Sequence, residues 1–102
     1  MVIYEVNADI NRDIADDFAA WLAPHIDELL EIDGFTAAHW FEREDDHTDS
    51  TVAWTVQYHV TSMQALDDYL EHHAARLRGD GLDKFGDNFK TSRRVLSLRM
   101  SK

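Results

Sequence analysis

The stretch VIYEVNADINRDIADDFAAWLAPHIDELLEIDGF, residues 2–35, decides the fold. It opens with Val2, Tyr4 and Val6 alternating with Ile3, Glu5 and Asn7, the two-residue period of a strand with one apolar and one mixed face. The period then changes. Ile14, Phe18, Trp21/Leu22, His25/Ile26 and Leu29/Leu30 recur at helical spacing and make an apolar stripe about four turns long. Asp9 or Asn11 is placed to cap that helix by accepting from free backbone N–H groups. Pro24 lies inside the stripe, removes one hydrogen bond, and is expected to kink or split the helix. Asp33-Gly34 supplies the stop.

Working outward, a second strand is expected from about Phe35 to Glu42, with Phe35, Ala37, His39 and Phe41 on one side and Ala38 and Trp40 on the other. The polar run at 43–50 (REDDHTDS) reads as a hairpin loop. A third strand follows from Thr51 to Val60, with Val52, Trp54, Val56, Tyr58 and Val60 on its apolar side. Ser62 can cap a second helix whose stripe is Met63, Leu66, Leu70, His73/Ala74 and Leu77, broken at Gly79 and Gly81. Leu82, Phe85 and Phe89 then suggest a short extra helix or compact loop. A last strand runs from about Ser92 to Met100, with Leu96, Leu98 and Met100 opposite Arg93, Val95, Ser97 and Arg99. The order β-α-β-β-α-β is that of an α+β, ferredoxin-like domain. It implies a four-stranded antiparallel sheet, ordered 4-1-3-2, with two main helices on one face. The length suits a single domain over residues 1–102.

Composition narrows the chemistry. Apolar residues make up 44% of the chain, too many for disorder. There is no cysteine, which excludes disulfides, thiolate metal sites and cysteine nucleophiles. No apolar run approaches the ~20 residues that a membrane-spanning helix needs, and a cytoplasmic protein is expected. The net charge of −10 disfavours nucleic acid and anionic membranes as partners. That charge is uneven. Residues 1–75 carry only Arg12 and Arg43 against an acidic majority, whereas eight of the ten basic residues fall in 76–102. Charge matching within or between subunits explains this distribution most simply; a local anion site is the sharper reading.

The strand periods place Tyr4, Phe41, Trp54, Val56, Tyr58, Leu96 and Leu98 under the helices. The opposite set is Ile3, Glu5, Ala38, Trp40, Ala53, Thr55, Gln57, His59, Arg93 and Val95. Half of that set is apolar, and a patch of several hundred Å² of that kind marks an interaction surface. Pairing of two copies through this bare sheet face, about a two-fold axis, is the expected cover.

The opening MVIYEV, the WTVQY of residues 54–58 and the closing HAARLRGDGLDKFGDNFKTSRRVL of residues 73–96 resemble a small bacterial family known only as a domain of unknown function. The resemblance covers nearly the whole chain. It implies membership of the dimeric α+β-barrel superfamily, in which two ferredoxin-like protomers pack sheet to sheet. Antibiotic-biosynthesis-type monooxygenases, haem-degrading enzymes and small-molecule-binding regulatory domains belong to that superfamily, with ligand cavities between sheet and helices. The resemblance carries fold further than function.

Two constellations carry candidate chemistry. Glu5, Gln57 and Arg93 are expected on one face of three neighbouring strands, as a polar cluster fixing a dimer interface or, more sharply, as a base beside an anion clamp. Tyr69 and His73 share a helix face, and Tyr4, His39, Trp54 and Tyr58 are expected to line the sheet opposite. An aromatic core is the plain reading of this second set. Its functional reading is a pocket with His73 and Tyr69 as catalytic groups and Arg76 as an anion contact. Haem chemistry of the superfamily's kind fits poorly, because only Asn7 matches loosely and Tyr69 stands where a Trp is wanted. No metal site is expected: His25 with Glu28 and Asp68 with His72 give two ligands each, and Leu82 and Lys84 spoil a calcium loop at 80–88. Neither a phosphate loop, a nucleophile elbow nor a zinc-protease motif is present. The leading expectation is a small-molecule-binding or accessory domain without a cofactor. The alternative is a cofactor-independent monooxygenase-like or isomerase-like enzyme acting on a small aromatic or anionic substrate.

Overall fold

The computed structural model describes all 102 residues. Strand β1 (Val2–Asn11) leads through a 3-10 turn (Arg12–Ile14) into helix α1 (Ala15–Leu30). Strands β2 (Phe35–Glu42) and β3 (Thr51–Val60) form the hairpin; helices α2 (Met63–His72) and α3 (Ala74–Phe85) and strand β4 (Phe89–Ser97) complete the chain. The sheet order is β2-β3-β1-β4 and every neighbouring pair is antiparallel. This is the ferredoxin-like arrangement that the order of periods implied.

Local chemistry explains most boundaries. Ser62 Oγ accepts from the Ala65 N–H at 3.1 Å and starts α2. Gly34 has φ +89°, and a Cβ there would sit 2.5 Å from the Ala65 Cβ, so only glycine fits the turn between α1 and β2. Neither expected cap of α1 forms: β1 continues to Asn11, whose side-chain amide donates to Asn88 Oδ1 at 3.2 Å. Helix α1 passes through Pro24 without ending, and that residue is exposed.

The second helical stretch also departs from expectation. His73, with φ −128° and ψ −29°, divides it into α2 and α3. Helix α3 then runs through Gly79 and Gly81 rather than stopping at them. Gly81 has a packing role, because a Cβ there would lie 3.0 Å from Cη2 of Trp21.

The core lies between the helices and the even-numbered residues of β1 and β3. Ile10, Val60, Leu29, Leu66 and Leu77 are its most completely buried aliphatic members. Two strands present the opposite parity to that expected. In β2 a register shift between Phe35 and Ala37 sets Ala38 opposite Tyr58 and Trp40 opposite Val56. Ala38 and Trp40 therefore face the helices, and Trp40 lies edge-on to Trp54 at 5.0 Å between centroids. Ala37, His39 and Phe41 turn to the bare face. In β4, Arg93 opposes Val6 and Val95 opposes Tyr4, so both face the helices; Leu96, opposite Ile3, faces away. Leu98 and Met100 lie beyond the strand and are exposed.

Candidate functional site

A cavity of about 70 Å³ lies between the sheet and the helices. Its walls are Val6, Ala8, Val56, Leu22, Leu29 and Leu77, with Phe18, Trp21, Trp54 and Phe89 at one end. Every tyrosine of the chain reaches it. Tyr4 comes from β1, Tyr58 from β3 and Tyr69 from α2, with ring centroids 6.1 Å apart for Tyr4–Tyr58 and 5.5 Å for Tyr4–Tyr69. His25, on α1 one turn beyond Trp21, stacks on that indole at 4.4 Å. Arg78 from α3 and Arg93 from β4 also line it, both exposed.

The electrostatics follow from burial. Removal from water pushes the Tyr58 and Tyr69 phenols well above their ordinary range, so both are protonated donors at any physiological pH. Burial also lowers the pKa of His25, against the opposing fields of Glu28 and Asp80, leaving a neutral imidazole at the cavity wall. The positive charge of Arg93 reaches His25, Tyr58 and Tyr69. Arg78 donates from Nη2 to Tyr4 Oη at 2.9 Å. The site therefore combines an apolar chamber, three phenols, a neutral base and two cations.

Of the residues expected in this pocket, the structure brings together Tyr4, Trp54, Tyr58 and Tyr69. His39 is not among them. The register shift in β2 turns it to the bare face, where its ring meets His59 at 5.1 Å. His73 and Arg76 lie instead in an open groove between the C-terminal end of α1 and α2, where Arg76 is 3.8 Å from Glu28. Helix α3 buries Ala74 and Leu77 as its stripe predicts, and Arg78, next to Leu77, lines the cavity while Arg76 does not. Among the titratable residues of the lining, His25, Arg78 and Arg93 are the ones not expected from the sequence. His25 was legible as a member of the apolar stripe four residues after Trp21, whereas the two arginines depended on phase and register.

The polar cluster on the bare face is also altered by one position. Arg94 occupies the place expected of Arg93, because Arg94 opposes Glu5 across β1 and β4. Glu5 is 2% exposed and accepts from Arg94 Nε, from Gln57 Nε2 at 2.9 Å and from Asn7 Nδ2 at 3.0 Å. Thr55 closes the network by donating to Asn7 Oδ1 at 2.6 Å. Burial alone would raise the Glu5 pKa; the bonds from Arg94, Gln57 and Asn7 and the charge of Arg94 outweigh it and hold the carboxyl at about 2.

A family model described as Domain of unknown function (DUF4286) matches residues 1–98. The chain belongs to this family. The expected membership of a family known only as a domain of unknown function is thereby shown. No curated protein matches the sequence. Among solved structures, a Deinococcus radiodurans protein provisionally named an antibiotic biosynthesis monooxygenase superposes with a TM-score of 0.76 at 14% identity, over 100% of this chain and 96% of that one. SnoaB, a cofactor-independent oxygenase from Streptomyces nogalater, gives 0.70 at 12% identity, over 98% and 95%. At3g17210 from Arabidopsis thaliana gives 0.72 at 16% identity, over 100% and 99%. At such identities the likeness establishes the fold and leaves activity to be argued from the site. This DUF4286 member has no helix long and apolar enough to cross a membrane.

Proposed function

We propose that the protein is a small-molecule-binding domain of the cytoplasm, with residues 1–102 acting as one unit and the ligand seated in the helix–sheet cavity. The observation that carries the reading is the convergence there of all three tyrosines, His25 and two arginines on an apolar chamber. Size sets the ligand class. An apolar cavity of about 150 Å³ accommodates benzene, and this one is about 70 Å³, so it suits a ligand of only a few heavy atoms. Protein isolated from its own cells under native conditions is expected to retain a small compound detectable by native mass spectrometry. A cavity-filling Ala8→Leu variant is expected to lose it. Absence of any retained compound, or equal retention by the variant, counts against this reading.

A second reading is favoured by the place of His25, which lines the cavity stacked on Trp21 and whose pKa burial lowers. In a cofactor-independent oxygenase or an isomerase the first step is removal of a proton from an acidified C–H or O–H group, and an unprotonated imidazole suits that task. His25 then takes the part expected of His73, with Tyr69 as a hydrogen-bond donor. His25→Gln is expected to abolish turnover while retaining binding.

The bare face supports assembly. Ile3, Phe41 and Leu96 lie on it, with Phe41 47% and Leu96 36% exposed. A second copy of the chain, packed sheet to sheet, is the proposed cover. Light scattering is expected to give twice the chain mass, and Leu96→Asp to reduce it to one.

A further inference from the structure

We propose that the ligand is an anion, a short-chain carboxylate, whose charged end is held between Arg78 and Arg93 and whose apolar body enters the cavity. The inference rests on the binding reading above and names the chemical class of its ligand.

Position in the cavity wall, together with the lack of a carboxylate partner, points to these two residues. Three of the ten basic residues have a carboxylate within reach. Arg43 lies 2.9 Å from Asp9 and 3.0 Å from Asp46, Arg76 lies 3.8 Å from Glu28, and Arg94 bonds Glu5. Arg78 and Arg93 have no carboxylate partner. Arg78 reaches only Tyr4 Oη, and Arg93 only Thr91 Oγ1, at 3.0 Å. They are also the two cations that line the cavity, and no acidic side chain lines it.

The two guanidiniums approach from opposite layers. Arg78 belongs to the helical layer and Arg93 to the sheet, so an oxyanion between them bridges α3 and β4 through charge-assisted bonds. Tyr4, already bonded to Arg78, holds that guanidinium at the mouth. The protonated phenols of Tyr58 and Tyr69 supply donors and no competing negative charge. Below them Val6, Leu22, Leu29 and Val56 form the apolar walls, which suit a branched or straight chain of a few carbons.

Isobutyrate and its neutral isostere isobutyramide are suitable probes, followed by methyl and aromatic NMR of the wild-type protein. Isobutyrate is expected to shift the Val6, Leu22 and Val56 methyl signals and to bind more than about tenfold tighter than the amide, a factor typical of one charge-assisted hydrogen bond. That preference is expected to weaken as ionic strength rises. In Arg78→Gln/Arg93→Gln it is expected to fall to within about twofold. Arg76→Gln, outside the cavity, is expected to retain it. Equal binding of acid and amide overturns the anion inference while leaving cavity binding intact. Failure of both probes to move cavity signals also overturns it, whereas the binding reading stands or falls on the retained compound. Preference for isobutyrate that survives in the double variant removes the two arginines from the account.

Discussion

On the bare face of the sheet a buried carboxylate is saturated by its own neighbours: Glu5 takes bonds from Arg94, Gln57 and Asn7, and Thr55 closes the circuit. On the helix-covered face two guanidiniums, Arg78 and Arg93, reach only a phenol and a hydroxyl. Arg93 and Arg94 are adjacent in sequence and differ only in the side of the pleat that they occupy. One face completes its polar bonds within the sheet and presents a patterned surface suited to another sheet. The other leaves cations unpaired at the entrance of an apolar chamber, as a ligand site requires. Self-satisfaction suits an interface, and incomplete satisfaction suits binding.

Truncation is the strongest way to break this comparison. Leu66→Ala, in the fully buried layer under α2, is expected to cost about 3–4 kcal/mol of unfolding free energy, read by urea denaturation. Ile3→Ala on the bare face is expected to cost far less in folding, with its effect falling on self-association measured by light scattering. A larger folding cost for Ile3 than for Leu66 would reverse the assignment of the core.

Acid separates the two faces by pH. His25 has a lowered pKa when folded, so its contribution is complete above the unfolded value of 6.5 and declines as pH falls below it. Glu5 also has a lowered folded pKa, about 2 against 4.5, so its contribution is complete above 4.5 and is lost as pH falls toward 2. The Glu5 limb is expected to amount to about 2 kcal/mol, after allowing for the solvent around Arg94. Urea midpoints across pH should show two limbs. His25→Gln should erase the upper one and Glu5→Gln the lower.

The finest test compares neighbours. Arg94→Gln is expected to move the lower acid limb upward, toward the ordinary carboxylate range, because it removes the strongest donor to Glu5. Arg93→Gln is expected to leave that limb in place. If both variants shift it alike, the register of β4 against β1 is wrong, and the assignment of Arg93 to the cavity goes with it.

The amino-acid sequence by itself determined the order of elements and much of the cavity. The alternation of Val2, Tyr4 and Val6 and of Val52 through Val60 placed the central strands correctly, and the stripe from Ile14 to Leu30 placed α1. Tyr4, Trp54 and Tyr58 were legible as pocket residues for the same reason, because each lies on a strand whose own period names its buried side; on the second helix the stripe named Leu70, which is exposed, and Tyr69 was placed only by its spacing to His73. Tertiary structure alone decided the edge strands and which arginine of α3 meets the cavity. A pleat fixes that neighbours alternate, but which set faces the helices depends on the partner's register, and one inserted residue reverses it. That reversal sent His39 to the bare face and brought Trp40 beside Trp54. Pairing with β1 did the same for Arg93 and Arg94, and the packing of α3 put Arg78 rather than Arg76 at the cavity. Sequence spacing is a local quantity, whereas the side of the sheet on which a charge emerges is set by strands and helices distant in the chain.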